Sequence, residues 1–212
     1  MLEPNNFPVL TGLSAGEISR FEELATKKTV KQGQIFISQN QTLNGVYFIL
    51  SGRCVIYTTE SDGKEFVYAE LEKGELVGEL SVFDGQKSAA SVRALENLNC
   101  WFLETENFLK FFQSCSRFAQ NIVLMLVNRL RKADDVIDKL AFLNVEQRII
   151  AFLKERGVLK SGAITVSPVP TSAELSRYVG ASREMCGRVI RGLQSSGRLI
   201  QSRGVFTLTI KD

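Results

Sequence analysis

The sequence predicts an α+β protein with an N-terminal antiparallel β-barrel or sandwich, a long helix and a C-terminal winged helix-turn-helix. Three observations predict this class. Seven glycines separate short β-branched and aromatic runs within residues 31–102. A helical stretch without Pro or Gly follows them, and the last 42 residues contain two capped helices and a hairpin.

The composition of the 212-residue chain is that of a globular protein with one large or two modest domains. The chain has no histidine, which excludes Ser-His-Asp and Cys-His catalysis and every metal site that needs an imidazole. Its four cysteines lie far apart without a CxxC pair, so we expect buried thiols in a reducing compartment. No signal peptide and no apolar run of membrane-spanning length is evident. We therefore expect a cytoplasmic protein that does not interact with a membrane.

The glycine-rich region contains recognisable strands and turns. Three runs are β-branched or aromatic: residues 46–50, 54–57 and 66–68. Asp62-Gly63 predicts a hairpin turn between two of them, because such turns need positive φ. Before this region, Ser14 followed by Glu17 predicts a short helix with a capping box over residues 14–24. Closely spaced strands of this kind predict a small antiparallel barrel or sandwich.

The long helix is predicted over residues 108–140. Its apolar residues step by three or four positions and form one narrow seam: Ile122, Leu126, Leu130, Ala133, Ile137 and Leu140. A seam this narrow is typical of a coiled-coil contact, so we expect a homodimer through this helix. The alternative is a helix that packs on its own sheet. The predicted domains are a β-domain over residues 1–107, the dimerisation helix, and a C-terminal domain over residues 141–212.

Positive charge is concentrated at the C-terminal end. Residues 171–212 carry seven basic and three acidic side chains, whereas the rest of the chain carries 19 basic and 20 acidic ones. Six of the seven basic side chains are arginine, whose guanidinium can donate two hydrogen bonds at once to a phosphate or to the edge of a guanine. A solvated basic surface is the plainer interpretation of this asymmetry, so charge alone does not identify a partner.

The same end has the pattern of a helix-turn-helix followed by a wing. Thr171 begins a capping-box pattern, Gly180 supplies a turn, and Ser182 caps a second helix over residues 183–193. A hairpin over residues 199–210 follows as the wing. The second helix is predicted to pack through one face: Met185, Cys186, Val189, Ile190 and Leu193.

The start of the second helix carries side chains suited to reading DNA. Arg183, Glu184 and Arg188 lie where recognition helices meet base edges. Arg can fork onto guanine O6 and N7, and Glu can accept from cytosine N4. The alternative is a helical hairpin with ordinary solvated charges, which leaves the caps, the turn glycine and the wing together unexplained. We therefore expect double-stranded DNA as a partner.

These residues resemble a known family. Residues 171–209 closely resemble the winged helix of the CRP/FNR regulator family, and the Ser182-Arg183-Glu184-x-x-Gly187-Arg188 run matches its recognition helix. Residues 140–143 resemble its hinge, and residues 78–83 resemble its phosphate-binding cassette. The resemblance implies a cyclic-nucleotide-binding-like double-stranded β-helix (jelly roll) and a homodimer on an inverted-repeat operator with TGTGA-like half-sites. The DNA-contacting residues it implies are Arg183, Glu184, Arg188, Ser182, Thr171, Ser172 and Arg203.

The resemblance also implies a small-molecule effector site in the β-domain. The candidate residues are Gly78, Glu79, Leu80, Lys87, Ser88, Ala89 and Asp134. In the family's cyclic-nucleotide binders an Arg-Ser or Arg-Ala pair holds the cyclic phosphate, and Ser88 and Ala89 fall at that pair here. Replacing the bidentate, charge-assisted contact of an arginine by one neutral hydroxyl weakens the binding of the phosphate by about 1–3 kcal/mol. We therefore expect an effector other than cyclic AMP, or none.

Several alternatives stay open at this point. Lys87 and Ser88 replacing the arginine would allow a cyclic-AMP-dependent regulator, and Gly78-Glu79 shaping only a turn would leave no effector site. A nucleotide-binding module that acts without DNA is disfavoured by the winged unit. Residues 85–88 resemble the end of a P-loop but lack its first glycine and its Gly-Lys adjacency, so we expect no enzyme. We expect no metal, iron–sulfur cluster or haem, and RNA polymerase as a further partner.

Overall fold

The structure is a computed structural model that describes residues 7–160 and 162–209. These residues form two compact units, one ending at Lys132 and the other beginning at Ala133. Each unit has its own hydrophobic core. Within the described parts of the chain, no helix combines the length and the apolar character that a membrane span requires.

The first unit contains two antiparallel sheets. Its strands are β1 Thr26–Val30, β2 Ile35–Ile37, β3 Gly45–Ser51, β4 Cys54–Thr59, β5 Glu65–Leu71, β6 Leu76–Val77, β7 Ser91–Ala94 and β8 Leu98–Glu104. They form two four-stranded sheets in the orders β1-β8-β3-β6 and β2-β7-β4-β5. The α+β class and the jelly-roll arrangement are confirmed, although the two sheets do not close into one barrel. The Asp62-Gly63 turn lies between β4 and β5 as predicted, with Gly63 at φ 82°.

Strand β3 is covered on both faces, which explains its unbroken apolar run. Val46 and Phe48 pack on one side into a cluster with the helices, and Ile49 packs on the other side between the sheets. All three side chains are fully buried. A strand buried on both faces needs no polar alternation.

A short 3-10 helix at Pro8–Leu10 and four α-helices begin in the first unit: α1 Ala15–Leu24, α2 Glu79–Asp84, α3 Thr105–Ser114 and α4 Ser116–Phe142. The predicted capping box of α1 is present, since Ser14 accepts from the Glu17 N–H and the Glu17 carboxylate accepts from the Ser14 N–H at 2.7 Å. The helix thus begins where the sequence pattern indicates.

The predicted continuous helix over residues 108–140 is wrong at Cys115. This residue is extended, with φ −119° and ψ 95°, and it separates α3 from α4. The break lets Phe111 and Phe118 meet at a ring-centroid distance of 5.0 Å in the core. Cys115 is itself buried. Since no Pro or Gly lies at the break, we attribute it to packing rather than to local backbone preference.

The apolar seam of α4 is displaced by one residue at its start. Ile122 is fully buried in the unit's own core, and Leu126 packs against the same core. Val123 and Val127 are instead exposed, at 52% and 41%, and they line up with Leu130 of the predicted seam, which is 64% exposed. Their spacing of four and three residues continues the heptad pattern on a neighbouring face of the helix. One face of the helix therefore packs on its own unit, and the dimer contact stays a prediction for the exposed face.

The second unit contains three further helices and one sheet. Its elements are α5 Val145–Arg156, β9 Val158–Lys160, β10 Ala163–Val166, α6 Ser172–Val179, α7 Arg183–Ser195, β11 Leu199–Ser202 and β12 Val205–Thr209. The strands form an antiparallel sheet in the order β11-β12-β10-β9. The hairpin of β11 and β12 is the predicted wing, and Ile210 at its predicted end lies outside the described residues. The winged helix-turn-helix is confirmed.

Candidate functional site

The two helices of the helix-turn-helix are fixed by side-chain caps. Thr171 Oγ1 accepts from the Glu174 N–H, and Ser182 Oγ accepts from the Met185 N–H, both at 3.1 Å. Gly180 lies between the helices at φ 62° and ψ 46°, a conformation that favours glycine. Thr171 and Ser182 therefore hold the start of α6 and of α7, whatever else they contact.

The start of α7 presents the predicted reading residues to solvent. Arg183, Glu184 and Arg188 are exposed. Arg188 Nη2 donates to Glu184 Oε1 at 3.0 Å, and the two side chains are 64% and 82% exposed. Such an exposed i,i+4 pair stabilises a helix by only about 0.3–0.5 kcal/mol. The main consequence of the pair is that the Arg188 guanidinium, a hydrogen-bond donor, lies beside the Glu184 carboxylate, an acceptor, on one accessible face of α7.

The opposite face of α7 forms the core contact, with one exception. Cys186 and Leu193 are buried, and Val189 and Ile190 are half-buried, as predicted. Met185 was predicted to pack inward but is 38% exposed. It precedes Cys186 by one residue, which turns its side chain about 100° around the helix from the buried face.

The remaining predicted DNA contacts occupy distinct places in the second unit. Ser172 is the first residue of α6 and lies near Gly187 of α7. Arg203 is at the tip of the wing, where it and Gly204 have φ of 47° and 77°. Positive φ at both central residues is typical of a two-residue hairpin turn. The turn therefore presents the exposed Arg203 side chain at the end of the hairpin.

In the first unit, Gly78 and Glu79 lie at the start of α2. Gly78 has φ 103°, and a Cβ at this position would lie 2.9 Å from the Gly45 carbonyl oxygen. Glycine is therefore required both for the backbone conformation and for the close approach of β3. Glu79 follows with only 2% of its surface exposed, whereas Leu80 is 60% exposed.

The buried Glu79 carboxylate is paired with an arginine that the sequence analysis did not select. Arg129 of α4 donates from Nη1 to Glu79 Oε1 and from Nη2 to the Leu76 carbonyl oxygen, both at 2.5 Å. Burial raises the pKa of Glu79, and the Arg129 guanidinium opposes this shift. A buried carboxylate needs a cation, but the sequence does not show which one of the α4 cations reaches it.

The segment after α2 shows what occupies the position of the expected phosphate clamp. Ser88 is 9% exposed, and its hydroxyl donates to the Ala90 carbonyl oxygen at 2.8 Å. Its N–H donates to Gln41 O at 2.9 Å, and its carbonyl accepts from the Asn40 N–H at 2.8 Å. These bonds tie Ser88 into the loop. Its neighbours Lys87 and Ala89 are exposed.

Asp134 belongs to the second unit, where it is an exposed residue of α4. The other effector candidates lie in the first unit, within residues 78–89. Within residues 7–160 and 162–209, no group of three or more cysteine or acidic side chains is arranged to hold a metal ion.

Comparison with known proteins agrees with both units. The family model of the cyclic nucleotide-binding domain matches residues 27–115. The cyclic AMP receptor protein of Thermus thermophilus is 29% identical over 191 residues, which cover 90% of this chain and 87% of that protein. The cAMP-activated global transcriptional regulator Vfr of Pseudomonas aeruginosa is 30% identical over 167 residues, which cover 75% of this chain and 77% of that protein.

The chain belongs to the CRP/FNR family. As a member of this family it is a DNA-binding transcription regulator, which confirms the resemblance noted in its sequence. A solved structure of the c-di-GMP responsive global regulator CLP of Xanthomonas campestris is 26% identical, with a TM-score of 0.81. The alignment covers 93% of this CRP/FNR chain and all of that one (100%).

Proposed function

We propose that this regulator is a homodimer that binds an inverted repeat with TGTGA-like half-sites. The observation that carries the proposal is the exposed Arg188–Glu184 pair on the capped helix α7. A paired donor fork and acceptor can contact a guanine and a neighbouring cytosine in the major groove. Arg183 adds a second exposed fork at the first position of the same helix.

The homodimer rests on the exposed apolar residues of α4. Val123, Val127 and Leu130 would face the same residues of a second copy, because a two-fold axis makes the interface self-complementary. Two recognition helices one DNA turn apart then match an inverted repeat. In this proposal residues 1–107 sense the effector, residues 108–140 dimerise and residues 141–212 read DNA.

The effector in this proposal is not cyclic AMP, or the regulator needs none. Ser88 supports this because its hydroxyl proton is already donated to Ala90 and no arginine stands at the clamp position. Lys87 is a solvated point charge rather than a bidentate fork. The Xanthomonas relative is named as c-di-GMP responsive, which makes that dinucleotide the natural second ligand to try. RNA polymerase is the further partner that we propose.

The experiment that tests this function is a titration of the full chain onto two labelled duplexes. One duplex carries a TGTGA-type palindrome and the other a scrambled sequence, at one near-physiological salt concentration because phosphate contacts make affinity steeply salt-dependent. Each titration is run without ligand, with cyclic AMP and with c-di-GMP.

We expect specific binding to the palindrome without cyclic AMP, or on addition of c-di-GMP alone. Specific binding only with cyclic AMP would overturn the effector proposal and mean that Lys87 and Ser88 suffice. Binding to neither duplex under all three conditions would contradict the proposed operator and favour a module that acts through protein contacts.

A further inference from the structure

Helix α7 has a gap in its side-chain surface at Gly187, which is half-buried and faces Ser172 of α6. Glycine has no side chain, and the exposed residues Glu184 and Arg188 lie three residues before it and one residue after it. A Cβ built on Gly187 would have two polar atoms as its nearest neighbours, at ordinary contact distances. The gap is therefore a small polar recess beside the reading residues.

The first of these atoms belongs to Arg191. Its Nη1 lies 3.5 Å from the Cβ position of Gly187, although Arg191 follows Gly187 by four residues. Helical side chains lean toward the N-terminus, so residue i+4 covers the turn before it. The guanidinium of Arg191 thus lies one turn closer to Arg183 and Glu184 than its own backbone does. Among the residues that the structure describes, no acidic side chain pairs with it.

The second atom is the hydroxyl of Ser172, which lies 3.4 Å from the same position. Ser172 is on α6, so the recess is bounded by two different helices of the helix-turn-helix. A hydroxyl and a guanidinium are both hydrogen-bond donors, and both approach one point that no side chain fills.

We infer that the Gly187 recess binds one DNA phosphate through Arg191 and Ser172, and we name these three residues the phosphate seat. The inference rests on the proposed DNA-binding function and adds a positioning contact to it. An anionic, tetrahedral group with several acceptor oxygens suits two convergent donors, one of them charged. Contacts of this kind fix the register of a protein on the duplex without reading sequence.

A phosphate suits the seat better than a base edge. In a helix-turn-helix complex the first helix crosses the DNA backbone while the second enters the groove. A site that α6 and α7 share therefore faces the backbone. Arg183, Glu184 and Arg188 remain the residues that face bases.

The test compares Arg191→Ala with Lys154→Ala, which removes an equal charge from an exposed position on α5. We expect Arg191→Ala to weaken binding about 3- to 10-fold on the palindrome and on the scrambled duplex alike. The slope of log K against log salt should fall in magnitude by about 1.8, because each protomer of the proposed homodimer loses one phosphate contact. Duplexes with a symmetric pair of neutral methylphosphonates, one at the same backbone position of each half-site, then locate the contact. At one such pair of positions Arg191→Ala should weaken binding no further.

Gly187→Met gives an independent test that keeps every charge. The methionine side chain fills the recess and should weaken binding to both duplexes. Gly192→Met on the same helix is the control and should leave binding unchanged, because nothing lies within 4 Å of the Gly192 Cβ position. Both changes favour the helix, so circular dichroism should show α7 intact.

The outcomes separate the two levels of the proposal. A loss of affinity confined to the palindrome would mean that Arg191 reads a base. A loss no larger than that of Lys154→Ala would mean that Arg191 makes no DNA contact. Either result overturns the phosphate seat but leaves the proposed function standing. An effect that no symmetric pair of methylphosphonates abolishes also overturns it. If the unaltered protein binds neither duplex, the proposed function fails, and the seat fails with it.

Discussion

Arg129 reaches from α4 to the buried carboxylate of Glu79, with 2.5 Å between Nη1 and Oε1. The same guanidinium bonds to the Leu76 carbonyl oxygen just before the turn that begins α2. One side chain thus connects the long helix to the segment where an effector is expected. The pair has one nearly inaccessible member and one that is 27% exposed.

Replacing Arg129 alone should destabilise the folded state more than replacing Arg129 and Glu79 together. We expect Arg129→Met to destabilise the folded state by about 3–5 kcal/mol at neutral pH, because Glu79 is left as an uncompensated buried charge. The double variant Glu79→Gln/Arg129→Met should recover part of that loss. Urea unfolding followed by the fluorescence of Trp101, the chain's single tryptophan, measures both. Equal losses in the single and double variants would mean that the carboxylate is not buried as described.

Glu79 should make the free energy of unfolding fall as pH rises. Its pKa is raised by burial in the folded state, so the folded state holds this proton to a higher pH than the unfolded chain does. Stability contributed by protonated Glu79 is therefore present below the unfolded pKa of about 4.3 and is lost as pH rises through the folded pKa. The stability difference between the unaltered protein and Glu79→Gln should fall over that window. A difference that rises with pH would contradict the raised pKa.

Gly45 should tolerate no side chain, although its backbone is ordinary strand. A Cβ there would lie 2.2 Å from the Leu103 carbonyl oxygen and 2.6 Å from a ring carbon of Phe102. We expect Gly45→Ala to cost about 2–3 kcal/mol, since backbone must move to admit the methyl group. Gly16→Ala in α1 is the matched control, because nothing lies within 4 Å of its Cβ position. Similar urea midpoints for the two variants would show that β3 and β8 do not approach this closely.

The four cysteines should be inert in the folded protein. All are buried free thiols, as the sequence predicted. Burial raises the pKa of Cys54 to about 12 and that of Cys100 to about 11, so neither forms the reactive thiolate near neutral pH. We expect no alkylation by iodoacetamide in the native state and four labelled cysteines after guanidinium unfolding, counted by intact mass. Native labelling at Cys115 or Cys186 would contradict their burial.

A charge placed on the exposed stripe of α4 should dissociate the proposed dimer. Val127→Glu would bring two carboxylates together across a two-fold interface, a costly arrangement in an apolar contact. Sedimentation velocity over a concentration series should show a shift to monomer. Asn128→Glu adds the same side chain at an exposed position one residue away and should leave the dimer intact. Dimers that persist in Val127→Glu would place the interface elsewhere.

Arg188→Ala should separate base reading from general affinity. We expect a loss of about 1–3 kcal/mol on the palindrome, relaxed discrimination at one base pair and little change on the scrambled duplex. Anisotropy titrations at fixed salt measure this, with Lys154→Ala as the charge control. An equal loss on both duplexes would show that Arg188 meets only phosphate.

Local chemistry made much of this fold predictable from sequence. Ser14, Thr171 and Ser182 cap the helices that their spacing indicated, because a cap involves only a few neighbouring residues. The wing and the Asp62-Gly63 turn follow from backbone preferences of the same short range. The exposed face of α7 follows from helical periodicity and the charged residues along it.

Long-range packing decided the features that local sequence patterns do not show. Cys115 interrupts the helical region without any local breaker, since the break serves the packing of Phe111 against Phe118. Val123 rather than Ile122 begins the exposed stripe of α4, because the unit's own core takes Ile122. Periodicity identifies an apolar face but not the surface that covers it.

The fold class and the winged helix-turn-helix could be predicted from the sequence, because caps, turns and periodicity depend on residues a few positions apart. The pairing of Arg129 with Glu79 and the approach of Ser172 to Gly187 came instead from packing between elements. Fifty residues separate Glu79 from Arg129, and Ser172 and Gly187 belong to different helices. Charges so far apart in the chain meet only when the core sets the positions of the elements that carry them.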